Sequence, residues 1–249
     1  MKKRKTGLKC SYCGVRDMDS RDHVVPKALF GKPTPQDIIT VGVCTRCNHV
    51  KSRCDDYLRD CLACDIHVRT NPIVKKLRTG QIARSVMTNR SVLARQAVQY
   101  GRLLPMFTPL GLYAGQCVSF PTSTEPLAGA LWFIVRGLYY HVSKTILPEN
   151  YVYAMCPVQP EYGNYSFEHF CNSVPPGQIS IGKAVFDAKF IIWSEDAFTT
   201  NWCLRFYETL VYYVFVTSSE NAQKHLIPNL GINLLPPPPS DMPVIIHPK

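Results

Sequence analysis

Cysteines at positions 10, 13, 44 and 47 form two C-x2-C pairs, CSYC and CTRC, separated by thirty residues. Paired thiols on short turns present soft ligands at tetrahedral angles, so the four suit one structural zinc with no open coordination position. Between the pairs lies RDHVVPK, in which Asp22 and His23 are adjacent. Neighbouring residues on an extended strand point to opposite faces, so this dipeptide can send a carboxylate toward a hard cation such as Mg2+ and a neutral imidazole toward a water. Just past the second pair stand Asn48 and, one helical turn on, Lys51. A third pair, Cys61 and Cys64, follows Cys54 along one helical face without a fourth ligand nearby, and small apolar residues packed in a core account for all three.

A hairpin and a helix are needed to bring these residues together. HVVPKALF and DIITVGVC are β-branched runs separated by GKPTPQ, which predicts two short strands joined by a Pro/Gly loop. CNHVKSRCDDYLRDCLACDIHVR contains neither Gly nor Pro, which predicts a helix beginning near Cys47. A further basic helical stretch, IARSVMTNRSVLARQAVQYG, follows it. Past Gly101 the texture becomes aromatic and nearly neutral. In EPLAGALWFIVRGLYYHVSK, residues Leu127, Leu131, Ile134, Val135, Leu138 and Val142 have the spacing of one buried helix face. YVYAMCPV, AVFDAKFIIWS, NWCLRFYE and TLVYYVFVTS read as strands of an antiparallel sheet.

The expected class is α+β. The expected organisation is a basic tail over 1–9, a zinc-braced module over 10–65, a basic helical connector over 66–100, an α+β domain over 101–227 and a Pro-rich tail over 228–249. The four consecutive prolines of that tail bar both a helix and a central strand.

Charge is unevenly placed along the 249 residues. Positions 1–100 carry 20 Lys/Arg against 8 Asp/Glu, and positions 101–249 carry 8 against 10, so the net +10 divides as +12 and −2. A basic front without an acidic run attracts polyanions by counterion release, which makes nucleic acid the first partner to consider. The start, MKKRKTGLKCSYCG, has no apolar stretch after its basic residues, and later apolar runs are interrupted by Arg136, His141 or Pro148. The expectation is a cytoplasmic protein with no membrane span, whose 11 cysteines are reduced thiols, some holding metal.

Cys-x2-Cys, Asp-His-Val-Val-Pro and Cys-x2-Cys-Asn-x2-Lys, in this order over about residues 10–60, resemble the zinc-containing branch of the HNH endonucleases. The resemblance implies a ββα-metal finger, treble-clef-like and braced by zinc on Cys10, Cys13, Cys44 and Cys47, around one catalytic Mg2+ or Mn2+. It implies His23 as general base, Asp22 and Asn48 as ligands of that cation, and Lys51 facing the phosphate. The activity implied is hydrolysis of phosphodiester bonds in DNA, with RNA as an alternative substrate. Lys2, Lys3, Arg4, Lys5, Lys9, Arg46, Lys51 and Arg53 are then the candidates for gripping the backbone, which gives affinity without sequence choice. The family's middle Asn, which ties the loop to the backbone of the base, is replaced here by Ile39 or, with a small shift, Thr40 or Asp37. Asp55 and Asp56 have the spacing for an outer contact, although a solvated helix face explains them too. The competing reading is a zinc-binding nucleic-acid-binding module without catalysis. In either case the second domain carries no catalytic motif, and its aromatics, among them Tyr139, Tyr140, Trp193 and Trp202, suit a core or a surface for a protein partner or second copy.

Overall fold

Strand β1 (Ser20–His23) pairs antiparallel with β2 (Thr40–Val43), placing Asp22 opposite Val41 and His23 opposite Thr40. The computed structural model describes residues 7–88, 91–108, 110–170 and 174–221, so Lys2, Lys3, Arg4, Lys5 and the Pro-rich tail lie outside the described residues. β1 begins upstream of the expected HVVPKALF run. Val24 and Val25 are both fully buried, and two consecutive apolar residues cannot share one face of a strand; instead the chain turns at Pro26 into a 3-10 turn at Lys27–Leu29.

Helix α1 (Thr45–Cys64) follows β2 immediately. Cys44 is its N-cap, with Sγ accepting from the Cys47 N–H, and the Asp19 carboxylate accepts from both the N–H and the hydroxyl of Thr45. The helix ends where Asp65 turns extended. The basic connector is a chain of short helices: α2 (Pro72–Leu77), capped by Asn71 with Pro72 in its first turn, a π-helical turn at Arg78–Ile82, α3 (Ala83–Met87) and α4 (Val92–Tyr100), capped by Ser91. β3 (Arg102–Phe107) and β4 (Tyr113–Ser119) form a separate hairpin whose Leu103, Phe107 and Tyr113 are exposed; the sequence reading did not find it.

Helix α5 (Thr124–Ser143) is the centre of the molecule. Its expected single buried face is a correction, because Ala128 to Tyr139 are buried on every side. One side packs on α1 and β2, and the other lies on a five-stranded antiparallel sheet of order β5-β9-β8-β7-β6. The sheet comprises β5 (Tyr151–Pro157), β6 (Gly177–Ile181), β7 (Phe186–Ile192), β8 (Thr200–Phe206) and β9 (Leu210–Ser218), with helix α6 (Gly163–Glu168) packed on β8 and β9. The four strands read from sequence are β5, β7, β8 and β9, and β6 was missed because its five residues are too short a run to stand out, although QISI alternates as a strand should. The mixed helix-and-sheet class with antiparallel sheets is as expected. Among the described residues no helix is long and apolar enough to cross a membrane.

One hydrophobic core runs through both parts, joining Val24 and Leu58 of the N-terminal part to Trp132, Leu138, Phe206 and Val214. Tyr12 meets Phe133 edge-on at 5.0 Å, and the Tyr207 hydroxyl donates to the Leu29 carbonyl at 3.0 Å. Two glycines let α5 approach closely. A Cβ at Gly129 would stand 3.2 Å from Cys54 Sγ, and one at Gly137 would stand 2.7 Å from a methyl carbon of Val24, the residue after His23. Gly137→Ala therefore overpacks this contact. Overpacking costs about 1–3 kcal/mol, and each kcal/mol is worth roughly 2–4 °C at this chain length. The expected result is a melting temperature several degrees lower by calorimetry, with Gly80→Ala, where nothing lies within 4 Å, as the control.

Candidate metal centre and active site

The two cysteine pairs meet although thirty residues separate them. The first sits on a tight loop closed by Cys10 N–H to Arg16 C=O (2.8 Å) and Gly14 N–H to Cys10 C=O (2.8 Å), with Gly14 at φ +69°. That loop is tied to β2, because both the N–H and the hydroxyl of Ser11 donate to the Gly42 carbonyl, at 3.0 and 2.9 Å. The second pair straddles the β2–α1 junction. The result is that the sulfurs of Cys10, Cys13, Cys44 and Cys47 lie within 4.8 Å of one another. A tetrahedral zinc with bonds of about 2.3 Å spaces its sulfurs at roughly 3.8 Å, so the four thiols fit such an ion with little movement.

One of the four thiols is shifted toward its charged form at the expense of its neighbours. Hydrogen bonding from Cys47 brings Cys10 down to about 4, and the same hydrogen bond, together with burial, drives Cys47 well above the ordinary thiol value. The buried Arg136 of α5 faces this cluster. Burial brings its guanidinium down to about 10 while Cys47, Cys13 and Cys10 pull it up. It also stacks over Trp132 and donates to the Leu147 carbonyl.

The Asp-His dipeptide lies at the end of β1, beside α1. Ser20 and Asp22, two residues apart, both face the helix. Asn48 Nδ2 donates to Ser20 Oγ at 2.9 Å, and Asp22 Oδ2 accepts from the Tyr12 hydroxyl at 2.7 Å. Lys51 Nζ stands 3.2 Å from Asp22 Oδ2, 2.6 Å from Asp55 Oδ2 and 3.0 Å from the His23 carbonyl oxygen. The structure thus joins Asp22, His23 and Lys51 directly, and seats Asn48 one turn away on the same side of α1.

Lys51 corrects an expectation. Its side chain is 0 % exposed, so in this arrangement it reaches no phosphate and serves to bind β1 to α1. Burial works to lower its pKa, but Asp55 and Asp22 outweigh that and hold it above the ordinary lysine value. Asp55 is a second correction: it is not on a solvated face but 15 % exposed, with Oδ1 buried and unpartnered among the described residues. Burial pushes its carboxyl up to about 7 against the pull of Lys51. Asp56, at 67 % exposure, does lie on the solvated side.

His23 is half-buried. Burial lowers its pKa; Asp22 opposes this, whereas Lys27, Lys51 and Arg21 add to it, a shift that favours the neutral imidazole. The middle-Asn position resolves differently from any of the three alternatives. Asp37 accepts from the Gly182 N–H of the β6–β7 turn, Thr40 accepts from Arg21, and Ile39 offers its carbonyl to the Val24 N–H. It is Lys51 that ties down the backbone of His23. Of the basic candidates, Lys9 pairs with Asp17 at 3.1 Å, Arg46 is exposed, and Arg53 is exposed on another side of α1. Sequence reasoning missed Tyr12, Asp19 and Ser20. The signal for Lys51–Asp55 was present as an i,i+4 pair.

Comparison with protein-family models, with curated proteins and with solved structures finds no match to this chain.

Two outcomes are expected. Cys44→Ser releases zinc, read by elemental analysis, and melts at a markedly lower temperature, because a structural zinc contributes folding free energy directly. Lys51→Ala leaves Asp22 and Asp55 buried beside each other without their cation, a loss of about 3–5 kcal/mol on breaking a buried pair, measurable by urea unfolding.

Proposed function

We propose that this protein is a metal-dependent endonuclease of the HNH type, hydrolysing phosphodiester bonds in DNA. The observation that carries the reading is the seating of Asp22 and the His23 backbone against the Asn48–Lys51–Asp55 side of α1, beside four cysteines spaced for zinc. Asp22 and Asn48 would hold one Mg2+ or Mn2+, which would supply Lewis-acid polarisation of the scissile phosphate. The work of the chain's own residues is to place and move a proton. His23, whose neutral form burial favours, accepts the proton of the attacking water, and Lys51 fixes the backbone from which that imidazole projects. Tyr12, whose hydroxyl donates to Asp22, holds the carboxylate in one orientation. The basic front of the chain supplies non-specific attraction for the backbone.

A second reading has its own support. Asp22 already faces the ammonium of Lys51, an arrangement that also suits a zinc-braced nucleic-acid-binding module with no catalytic cation.

Incubation of supercoiled plasmid with purified protein separates the two. The first reading expects nicking or linearisation that requires Mg2+ or Mn2+, falls at least a hundredfold in His23→Ala, and is lost in Asp22→Ala and Asn48→Ala proteins that retain zinc and helical content. Full activity in Asp22→Ala would overturn the site. Salt-sensitive plasmid binding without any strand break would establish the second reading.

A further inference from the structure

A cavity of about 640 Å3 opens between α1 and the connector, away from the Asp22–His23 cluster. With about 3.6 residues per turn, its α1 residues Arg53, Asp56 and Asp60 project from the side of the helix opposite Asn48, Lys51 and Asp55. The remaining wall is contributed by the π-helical turn, α3 and α4, which supply Gln81, Arg84 and Arg95.

The floor of this cavity is fixed. Arg59 donates from Nε and Nη2 to Asp60 Oδ1 at 2.9 and 2.6 Å, and from Nη1 to Asp56 Oδ1 at 2.8 Å. Asp60 also accepts from the Ser91 hydroxyl at 2.8 Å, and Ser91 caps α4, so one buried network locks α4 to α1. Tyr57 adds a second tie, donating to Gln96 Oε1 at 3.0 Å. Both aspartates are thereby committed to Arg59. Among the described residues, Arg53, Arg84 and Arg95 form no ion pair; Arg59 with its two carboxylates carries −1, so the four arginines and two aspartates leave this preformed concavity at a net +2.

We propose that this cavity is a binding site for a phosphate ester, separate from the cluster at Asp22. Guanidinium is always charged and its planar fork matches phosphate oxygens in a bidentate way, and three around one cavity exceed what a single carboxylate needs. The volume falls within the roughly 300–1,000 Å3 of small-molecule sites, enough for one nucleotide. Gln81 adds an amide donor from a π-helical turn, a local geometry that recurs at functional sites. The ester has two sources, a nucleotide unit within a nucleic-acid strand or a free mononucleotide. Only the strand source rests on the nucleic-acid reading given above.

The test uses the full chain without added magnesium and two fluorescent probes, a labelled twelve-nucleotide single strand and a labelled ATP. Arg84→Ala/Arg95→Ala is compared with Lys75→Ala/Lys76→Ala, which removes the same charge from exposed positions of α2 outside the cavity. The expected result is at least tenfold weaker binding of one probe by the arginine variant, and no more than threefold by the lysine variant. If the strand is that probe, its log Kd against log salt slope also falls by about 1.4, at about 0.7 per lost phosphate contact. Loss confined to the strand identifies a strand site; loss of ATP binding identifies a mononucleotide site. Equal weakening by both variants, no binding of either probe to wild type, or displacement of the probe by a polyglutamate peptide as readily as by AMP would each overturn the proposal. The plasmid assay is independent of this one. Cleavage by the arginine variant with unchanged probe binding sinks the cavity alone, and a cavity that binds in a protein that never cuts leaves the proposal standing.

Discussion

A single buried ammonium organises the N-terminal half of this protein. Lys51 is 0 % exposed and lies within 3.2 Å of two carboxylates and one carbonyl. A charge taken out of water costs several kcal/mol, and it is tolerated only where geometry returns that cost through short, well-aligned contacts. Because the three acceptors come from β1 and α1, the ammonium fixes strand against helix as a hydrophobic contact could not. A register slip of one residue on β1 would turn Asp22 away and bring an arginine or a histidine to the ammonium. The polar network therefore specifies one arrangement of the hairpin and helix, while Val24, Leu58 and their neighbours supply the apolar burial that stabilises it.

A second charged centre belongs to the same hairpin-and-helix unit. Four thiols within 4.8 Å of one another, once bound to zinc as thiolates, carry a net charge of −2, and Arg136 on α5 faces them from the second part of the chain. The molecule is thus joined across its middle by α5, through glycine-mediated contacts at Gly129 and Gly137, by the Asp37–Gly182 hydrogen bond and by the Arg136 charge. This gives the five-stranded sheet a physical role in relation to the candidate site. It backs the helix that abuts Val24, the residue following His23.

The legible parts of the sequence were those with local causes. Two C-x2-C pairs, a run of 23 residues without Gly or Pro, and β-branched aromatic stretches gave the cysteine cluster, α1 and four of the five strands of the sheet. What could not be read arises from packing between distant segments. The burial of α5 on all sides depends on the sheet and on α1 meeting it from opposite directions, and its composition alone predicts one apolar face. Lys51 reads as a surface base in any window of sequence; only the convergence of Asp22 from twenty-nine residues earlier makes it a core residue. The arginine cavity is hidden for the same reason, since Arg53, Arg84 and Arg95 look like scattered charge until the π-helical turn and α4 fold back on α1.

The charge count at Asp22 bears on the proposed chemistry. Asp22, Asp55 and Lys51 together carry −1 when both carboxyls are ionised, and Asp55 retains one buried oxygen without a partner among the described residues. Burial, helped by the charges of Asp22 and Asp56 and opposed by Lys51, holds Asp55 up to about 7, so near neutrality part of that negative charge is latent. A divalent cation at Asp22 and Asn48 would draw Asp55 toward its ionised form and leave the cluster at +1, complementary to the single charge of a phosphodiester. Without Lys51 the same carboxylates would neutralise the cation completely, and the attraction for the scissile phosphate would be lost. On the proposed reading, the lysine that reaches no phosphate still contributes to binding it, by keeping the site one charge short of neutral.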